Sequence, residues 1–322
     1  MSLKTLRLAA AIALTAAAAQ AETKHIAIAS FGEHPALNQV AEGFKERMGA
    51  LGYAEGTAVT YSFNHANFDR TLIPQVLAKV EAEKPALVLA ITTGLNQAAV
   101  RGITDKTIPI VFASVVDPVV AGIVPDWQHG SATSTGASMM PDFDATLAFL
   151  KQVIPGIKAV GTLFNPGEDN DATNMKLLTE AGEKAGIKIV GVPVEAAADL
   201  PQRVQSFAGQ VDAVFLIQSN VVQTAVPIVA QVAQRMKMPL FNSVFNPALQ
   251  DQLAGFHAIS YRKNGVHAAD IADRILRGEK PADIAPYVPV AADFDSLVSV
   301  KGMAAVGLPI PDSLKDSPWL LK

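Results

Sequence analysis

A repeated alternation of short apolar runs with amphipathic stretches is the sequence feature that most limits how this chain folds. His25 to Phe31 has the pattern of a short buried strand. The stretch from Leu37 to Leu51 carries apolar residues at spacings of three and four, which predicts a helix with one apolar face. Pro35 suits the first turn of that helix and Gly52 its end. The same order recurs along the chain and predicts an α/β fold of βαβ units around parallel sheets.

The pattern predicts two such sheets, one after the other. The first half continues with strands Val59 to Phe63, Leu87 to Ile91 and Ile108 to Ala113, and with helices around Leu72 to Val80 and Gln97 to Arg101. After Ser138 the order starts again, with helices Asp144 to Val153, Thr173 to Ala185 and Val221 to Met236, and strands Ala159 to Phe164, Ile187 to Val194, Ala213 to Ile217 and Leu240 to Val244. A late helix is predicted from Asn264 to Arg277. Two lobes with late segments crossing between them predict a hinged molecule with a cleft.

The first residues have the order of a cleavable secretory signal. A charged start precedes an apolar run from Leu8 to Ala19, and small residues stand before Glu22. The apolar run is shorter than the roughly 20 residues that a membrane-spanning helix needs. We therefore expect residues 1–21 to be a signal peptide cleaved after Ala21, and the mature chain to be exported without insertion into the membrane. A disordered Ala-rich start to a cytosolic protein is the alternative.

Composition argues against several kinds of partner and chemistry. The chain has no cysteine, which removes disulfides, thiolate metal sites, thiol nucleophiles and a lipidated cysteine at the cleavage site. It has 30 Asp and Glu against 26 Lys and Arg, and Lys4 and Arg7 leave with the signal. Nucleic acids and anionic membranes bind basic surfaces, so we expect neither as a partner. We expect a freely diffusing monomer.

The sequence carries no catalytic signature. The motifs of serine hydrolases, zinc peptidases, dinucleotide-binding proteins and P-loop proteins are missing. Among the six histidines, no pair has metal-ligand spacing. We therefore expect neither enzyme activity nor a bound cofactor or metal. An enzyme whose triad is assembled from distant residues and a zinc carrier that gathers distant histidines stay as alternatives.

Polar residues follow the predicted strands of the first lobe, where open α/β sheets bind their ligands. Phe31 could stack on a ligand, or it could be the last core residue of its strand, with Glu33 only favouring the helix N-terminus. Thr92, Thr93 and Gly94 stand before a helix, and their hydroxyl and free N–H groups suit a ligand carboxylate. Capping of the helix by Thr93 is the alternative. Farther along, Ser114 is a better candidate for ligand contact than Asp117, which is expected to act as a cap.

The second lobe has a more acidic loop. Phe164 to Asp171 places three carboxylates and two amides between a strand and a helix. Glu168 could pair with a ligand ammonium, and Asn170 or Asp171 could cap the helix while lining the cleft. A solvated acidic turn is the alternative. With the polar residues that follow the next strands, the predicted ligand contacts are Phe31, Glu33, Thr92, Thr93, Gly94, Ser114, Asn165, Glu168, Asn170, Asp171, Ser219, Asn220 and Ser243.

Several segments, taken in order along nearly the whole mature chain, resemble one family. They include His34-Pro35-Ala36-Leu37, Ile108 to Phe112, Val116-Asp117-Pro118, Phe164 to Glu168 with Asn170, and Pro239-Leu240-Phe241. They are similar to the ABC transporter substrate-binding proteins whose characterised members bind tryptophan, tyrosine or phenylalanine. The resemblance implies a type I periplasmic-binding-protein fold, with two doubly wound parallel-sheet lobes joined by a three-crossing hinge. It also implies a periplasmic location and two partners, a membrane permease and, through it, a cytoplasmic ATPase.

The resemblance implies ligand contacts by position, and the chain departs from the family in three places. The implied contacts are Thr92, Thr93, Ser114, Asn165, Glu168 and Asn220. Gln218-Ser219-Asn220 stands where the family commonly has Thr-Asp-Asn, which removes a carboxylate suited to an ammonium. Asn170-Asp171 stands in place of Asn-Ser, and Thr93-Gly94 in place of Thr-Pro or Thr-Ala. A charge moved from position 219 to Asp171 would preserve amino-acid binding; equally, the ligand could belong to another class.

These inferences together predict a carrier with two lobes. Lobe 1 is expected to comprise residues 22–138 with about 262–285, and lobe 2 residues 139–261 with about 286–322. The expected function is the periplasmic solute-binding component of an ABC importer, which binds an aromatic or other amino acid between the lobes and delivers it to the permease. The alternative is an exported ligand sensor on the same fold that docks on a signalling receptor.

Overall fold

The chain folds into two α/β lobes, each built around one sheet, as the fold-class prediction stated. A computed structural model describes residues 23–321. The predicted signal peptide lies outside the described residues. Within residues 23–321, no helix combines the length and the apolar character that crossing a membrane requires.

The first sheet is entirely parallel and has the strand order β2-β1-β3-β4-β5. Its strands are β1 (Lys24–Ser30), β2 (Val59–His65), β3 (Leu87–Ile91), β4 (Ile110–Val115) and β5 (Ser134–Ser138). The helices between them are α1 (Pro35–Ala50), α2 (Ile73–Ala82) and α3 (Thr93–Gly102). Every residue of β3 is buried, because helices cover both faces of a parallel sheet and its central strand has no solvent side.

The second sheet has the order β12-β11-β10-β9-β8-β6-β7 and is parallel except where β10 pairs with β11. Its strands are β6 (Ala159–Phe164), β7 (Lys188–Pro193), β8 (Ala213–Leu216), β9 (Leu240–Asn242), β10 (Gly255–Ile259), β11 (Phe294–Ser299) and β12 (Leu320–Leu321). The helices that follow along the chain are α4 (Phe143–Val153), α5 (Asp169–Ala185), α6 (Leu200–Gln205), α7 (Asn220–Gln223), α8 (Val226–Arg235), α9 (Tyr261–Leu276) and α10 (Val300–Ala305), of which α9 packs on the first sheet.

The chain passes between the two sheets three times. It leaves the first sheet after β5, and returns after β10 to form α9, which packs on α1, β4 and β5. The segment after α9 pairs with β5 through Tyr287 and Ala137, and then enters the second sheet as β11. The residue boundaries given above for the two lobes remain a prediction.

Several helix boundaries differ from the predicted ones. The single helix expected from Val221 to Met236 is wrong: α7 ends at Gln223 and α8 begins at Val226, with Pro227 in its first turn. Proline has no N–H to donate and fits the start of a helix, so the chain begins a new helix there. Helix α5 begins at Asp169 rather than Thr173, since acidic residues are favoured in a first turn.

Helices α1 and α9 pack so closely that Gly265 has no room for a side chain. A Cβ atom on Gly265 would lie 2.0 Å from the carbonyl oxygen of Val40. We therefore expect Gly265→Ala to lower the free energy of unfolding by about 1–3 kcal/mol, since backbone must shift to admit the methyl group. Gly49→Ala on α1 is the matched control, because its Cβ would meet nothing within 4 Å.

Urea unfolding followed by circular dichroism measures both variants. Gly49→Ala is expected to be neutral or to stabilise by about 0.5–1 kcal/mol, as glycine-to-alanine changes in open helical positions do. Equal stability of the Gly265 variant and the wild type would show that the two helices do not need this close approach.

Candidate ligand-binding site between the lobes

The carboxyl ends of the parallel strands in both sheets face a common cleft. A cavity of about 200 Å³ is lined from lobe 1 by Phe31, Gly94 and Gln97, and from lobe 2 by Asn170 and Asn220. A second cavity of about 310 Å³ shares Phe31, Arg70 and Asn220 and adds, among others, Phe68, Asn165 and Glu168. Ligands of open α/β sheets bind at this end of the strands.

Two threonines at the start of α3 present hydroxyl groups without a protein partner. Thr92 and Thr93 are each only 3% exposed, and neither Oγ1 atom makes a hydrogen bond within residues 23–321. The prediction that Thr93 caps α3 is wrong: Thr92 occupies the N-cap position and makes no side-chain capping bond. Neither threonine lines the two cavities described above, but Gly94 beside them lines the first. Burial of an unpaired hydroxyl is costly, so these two groups are suited to a ligand acceptor.

Thr92 is also held in a strained backbone conformation. Its φ and ψ angles are 90° and 152°, a combination that side chains branched at Cβ rarely adopt. Contacts on both sides hold it there: its N–H donates to the carbonyl of Ala113, and its carbonyl accepts from the Asn96 side chain. Strain of this kind persists where surrounding structure enforces it, and it often marks a binding site.

Glu168 lies at the centre of the lobe 2 side of the cleft. Its side chain is almost fully buried, and its carboxylate accepts from the backbone N–H and the Nδ2 of Asn220, at 3.0 and 2.7 Å. Longer bonds reach it from Nδ2 of Asn165, Nδ2 of Asn170 and the N–H of Val221. The solvated acidic turn considered above is therefore wrong for this residue. Glu168 joins the loop after β6 to the start of α7.

Asp171 is a second buried carboxylate in the same cluster. It is fully buried and accepts the N–H of Asn165 at 2.6 Å and Nδ2 of Asn170 at 2.8 Å. Because Nδ2 of Asn170 donates to Glu168 as well, one amide bridges the two carboxylates. Neither carboxylate forms a salt bridge with a cationic side chain in the described part of the chain.

The crowding of two buried carboxylates changes the protonation of one of them, Asp171. Burial, and after it the charge of Glu168, raises the pKa of Asp171 to about 8, and hydrogen bonds from Ser219 and Asn165 and the charge of Arg70 offset only part of this rise. A ligand cation in the cleft would favour the ionised form of Asp171. The lobe 2 side of the cleft is therefore suited to the cationic group of a ligand.

Three predicted serines have different environments. Ser219 is buried at the N-cap of α7. Ser243 follows β9, and its buried hydroxyl has no hydrogen-bond partner among the described residues. Ser114 lies in a β-bulge of β4 with a φ of 55°, and its N–H donates to Oδ1 of Asn264. Ser243 lines neither of the two cavities described above.

The loop after β1 differs from the prediction. Phe31 is buried and also lines both cavities described above. It is therefore both the last core residue of its strand and a residue of the cleft. Glu33 points away: its side chain is 65% exposed, lies 4.0 Å from His65, and lines neither cavity. We leave Glu33 out of the site. The next residue, His34, faces the cleft beside Gln223 instead.

Sequence reasoning missed several cleft residues of lobe 1, among them Phe68, Arg70 and Gln97. Phe68 and Arg70 follow β2, and Gln97 lies one turn into α3. Nε2 of Gln97 donates to Oδ2 of Asp169 at 2.7 Å and so joins the two lobes directly. The loop after β2 obeys the same strand-end rule as the loops that were considered, so applying that rule to every strand would have found Phe68 and Arg70.

The arrangement gives the cleft two poles of opposite character. Lobe 1 contributes unpaired hydroxyl groups and the N-terminus of the ten-residue helix α3, which favour a negative group. Lobe 2 contributes Glu168 and Asp171, which favour a positive group. Within residues 23–321, no group of three or more acidic or histidine side chains is placed to hold a metal ion. This arrangement suits a dipolar molecule.

Comparison with known proteins identifies the family. Residues 25–319 match the model of the ABC transporter substrate binding protein family, whose members are binding proteins rather than enzymes. The chain is 29% identical over 261 residues to the tyrosine-binding protein of Clostridioides difficile (strain R20291), which covers 81% of this chain and 75% of that relative.

Solved structures agree with this fold. An ABC domain from Streptococcus pneumonia in complex with L-Trp has a TM-score of 0.85 and 24% identity, and covers 93% of this chain and 100% of its own. The ligand-free, open structure of a substrate-binding protein with adhesive properties from Clostridium difficile has a TM-score of 0.71 and 28% identity, and covers 93% and 99%. With the family model matching nearly all of its described residues, the chain belongs to the ABC transporter substrate-binding protein family.

Proposed function

We propose that this protein is the periplasmic solute-binding component of an ABC importer and that it binds an L-α-amino acid, with an aromatic side chain, between its lobes. The observation that carries the ligand class is the opposite character of the two sides of the cleft. The unpaired hydroxyls of Thr92 and Thr93, with the N-terminus of α3, receive the α-carboxylate. Glu168 and Asp171 receive the α-ammonium.

The departure from the family at position 219 supports this assignment. Serine stands at position 219, where the family commonly carries a carboxylate, and Asp171 supplies a carboxylate nearby: Nδ2 of Asn170 donates both to Oδ1 of Asp171 and to the carbonyl of Gln218. A bound ammonium favours the ionised form of Asp171, so the complex keeps a negative charge in the same hydrogen-bonded cluster, on another element of the lobe. A site with this charge keeps its preference for an ammonium group.

The relatives support an aromatic side chain. One relative is a tyrosine-binding protein, and the pneumococcal structure holds L-Trp. In this chain Phe31 and Phe68 form an edge-to-face pair, with ring centroids 5.5 Å apart, at the wall of the larger cavity. Such a wall suits a ligand ring. The hydrogen bond between Gln97 and Asp169 and the lower TM-score against an open relative support a closed arrangement of the lobes.

Thermal unfolding of the ligand-stripped mature protein tests the ligand class. Tryptophan, tyrosine and phenylalanine are expected to raise the melting temperature, because a ligand that binds only the folded state stabilises it by mass action. Matched compounds separate the two poles: 3-phenylpropionate lacks the ammonium and phenethylamine lacks the carboxylate, and both are expected to give much smaller shifts than phenylalanine. A shift produced only by sugars or nucleosides would refute the amino-acid assignment.

Uptake of a labelled amino acid by cells tests the importer role separately. Cells that carry the permease and ATPase are expected to take up the ligand when this chain is present and to lose uptake when it is deleted. Undiminished uptake in the deletion strain, with tight binding in vitro, would refute delivery to the permease and leave binding intact.

A further inference from the structure

The backbone turn that carries Phe68 is strained, and this turn sets the position of the Phe68 ring. Asn67 and Phe68 have φ angles of 49° and 61°, in the left-handed region that aromatic residues seldom occupy. Two backbone bonds hold the turn, from the N–H of Phe68 to the carbonyl of Phe31 and from the N–H of Asp69 to the carbonyl of Ala66, each at 2.8 Å. The fold therefore enforces an unfavourable conformation at this residue.

Gly32 makes room for the ring of Phe68. A Cβ atom on Gly32 would lie 2.3 Å from Cε2 of Phe68, far inside a normal contact. The ring packs edge-to-face on Phe31 and is only partly buried. Two separate features, the strained turn and the glycine, thus place one aromatic ring at the inner surface of lobe 1.

The exposed part of this ring faces the cleft. Phe68 lines the cavity of about 310 Å³ together with Phe31, Glu168 and Asn220, so its ring borders the same space as the carboxylate proposed to hold the ligand ammonium. Phe68 also borders a smaller space beside Ser219 and Tyr261. A cavity of this size, with one aromatic wall among polar and charged side chains, suits the side chain of an amino acid whose ammonium is held beside it.

We propose that Phe68 is a specificity-determining residue, whose ring, set by the turn at residues 66–69 and by Gly32, forms the wall against which the side chain of the bound amino acid packs. The inference rests on the proposed function, because it takes the ligand to be an amino acid held by its ammonium and carboxylate groups. Its consequence is selectivity: the wall favours large aromatic side chains over small ones and contributes nothing to holding the α-carbon groups.

Phe68→Asn tests the wall without disturbing the turn, because asparagine adopts the left-handed region more readily than phenylalanine. Calorimetric titration with tryptophan, tyrosine, phenylalanine and alanine is expected to show at least a tenfold loss of affinity for the aromatic ligands. Affinity for alanine, where measurable, is expected to change less than twofold. Phe68→Tyr restores the ring and is expected to keep aromatic binding within threefold of the wild type.

Two further variants complete the test. Gly32→Ala displaces the ring without altering its chemistry, and is expected to weaken aromatic binding in the same direction as Phe68→Asn. Phe63→Asn, at an exposed phenylalanine of β2 that does not line the cleft cavities, is the matched control and is expected to leave affinity unchanged.

The outcomes separate this inference from the proposed function. A wild-type protein that binds no amino acid refutes the proposed function, and the inference with it. A wild-type protein that binds aromatic amino acids, with the same affinity in Phe68→Asn and Gly32→Ala, refutes the wall alone. An equal loss for aromatic ligands and alanine would also overturn it, since Phe68 would then support the site as a whole rather than select the side chain.

Discussion

Glu168→Gln is expected to weaken amino-acid binding about 100-fold while the protein stays folded. Removing one partner of a buried, hydrogen-bonded charge pair costs about 2–5 kcal/mol, and a 100-fold loss of affinity corresponds to about 2.7 kcal/mol. Glutamine keeps the size of the side chain, and its one acceptor oxygen can take the place of Oε2, which accepts both bonds from Asn220. Calorimetric titration with tryptophan or tyrosine measures the loss.

Glutamine is a cleaner probe than alanine at this position. Alanine would leave the partly buried amides of Asn165 and Asn220 without this acceptor, and an unsatisfied buried donor costs about 1–3 kcal/mol. Weak binding by Glu168→Ala would then mix lost stability with lost recognition. The side chain of Glu168 bonds to Asn220 at the start of α7, so a residue that binds the ligand also stabilises the fold at this position.

Glu195→Gln is the matched control for Glu168→Gln. Glu195 lines the same cavity but is exposed and makes no hydrogen bond with another described side chain or backbone group. Its neutralisation is expected to change affinity less than threefold, because exposed charges interact weakly across water. Equal losses in the two variants would show that the cleft attracts the ligand through its overall charge and that Glu168 does not contact the ammonium.

The ligand-free protein is expected to lose stability as the pH rises from about 6.5 to 8, because of Asp171. The folded-state pKa of Asp171 is raised to about 8 from an ordinary value of 3.8. Between these values the folded protein holds a proton that the unfolded chain releases, so the free energy of unfolding falls with rising pH. The slope is at most about 1.4 kcal/mol per pH unit, or roughly 2 kcal/mol over this range.

The pH range is chosen to separate Asp171 from the histidines. Burial lowers the pKa of His34 and His257 below 6.5, so their contributions to stability rise with pH below that value and level off above it. Urea unfolding at several pH values measures the slope, and Asp171→Asn is expected to flatten it. The same slope in the wild type and Asp171→Asn would contradict the raised pKa.

In contrast to the stability of the ligand-free protein, the affinity for an amino acid is expected to rise with pH. An ammonium beside Glu168 and Asp171 favours the ionised carboxylates, so binding below pH 8 releases a proton and affinity rises with pH until Asp171 is ionised in the free protein. Calorimetry in two buffers of different ionisation enthalpy measures the proton released. Binding without proton release at pH 7 would place the ammonium away from Asp171.

Local patterns in the amino-acid sequence were enough to predict the architecture. Strands β3 and β6 were placed residue for residue, because a buried parallel strand is a short run of apolar residues and needs no knowledge of its neighbours. The type of fold and the family followed from the order of such runs and from short segments in sequence. Strand β5 was missed, since Ser134–Ser138 has few large apolar residues and is buried by its neighbours rather than by its own composition.

The sequence was also enough to predict that the site lies in the loops after the strands. It was not enough to predict the direction in which each side chain of these loops points. Glu33 points to solvent and His34 to the cleft, a difference of one residue that depends on how β1 turns into α1. Glu168 caps α7 some 52 positions away along the chain, and the raised pKa of Asp171 comes from burial beside Glu168. Hydrophobic periodicity is a property of neighbouring residues, but burial, charge proximity and ring placement come from contacts between residues far apart in sequence, which exist only once the chain has folded.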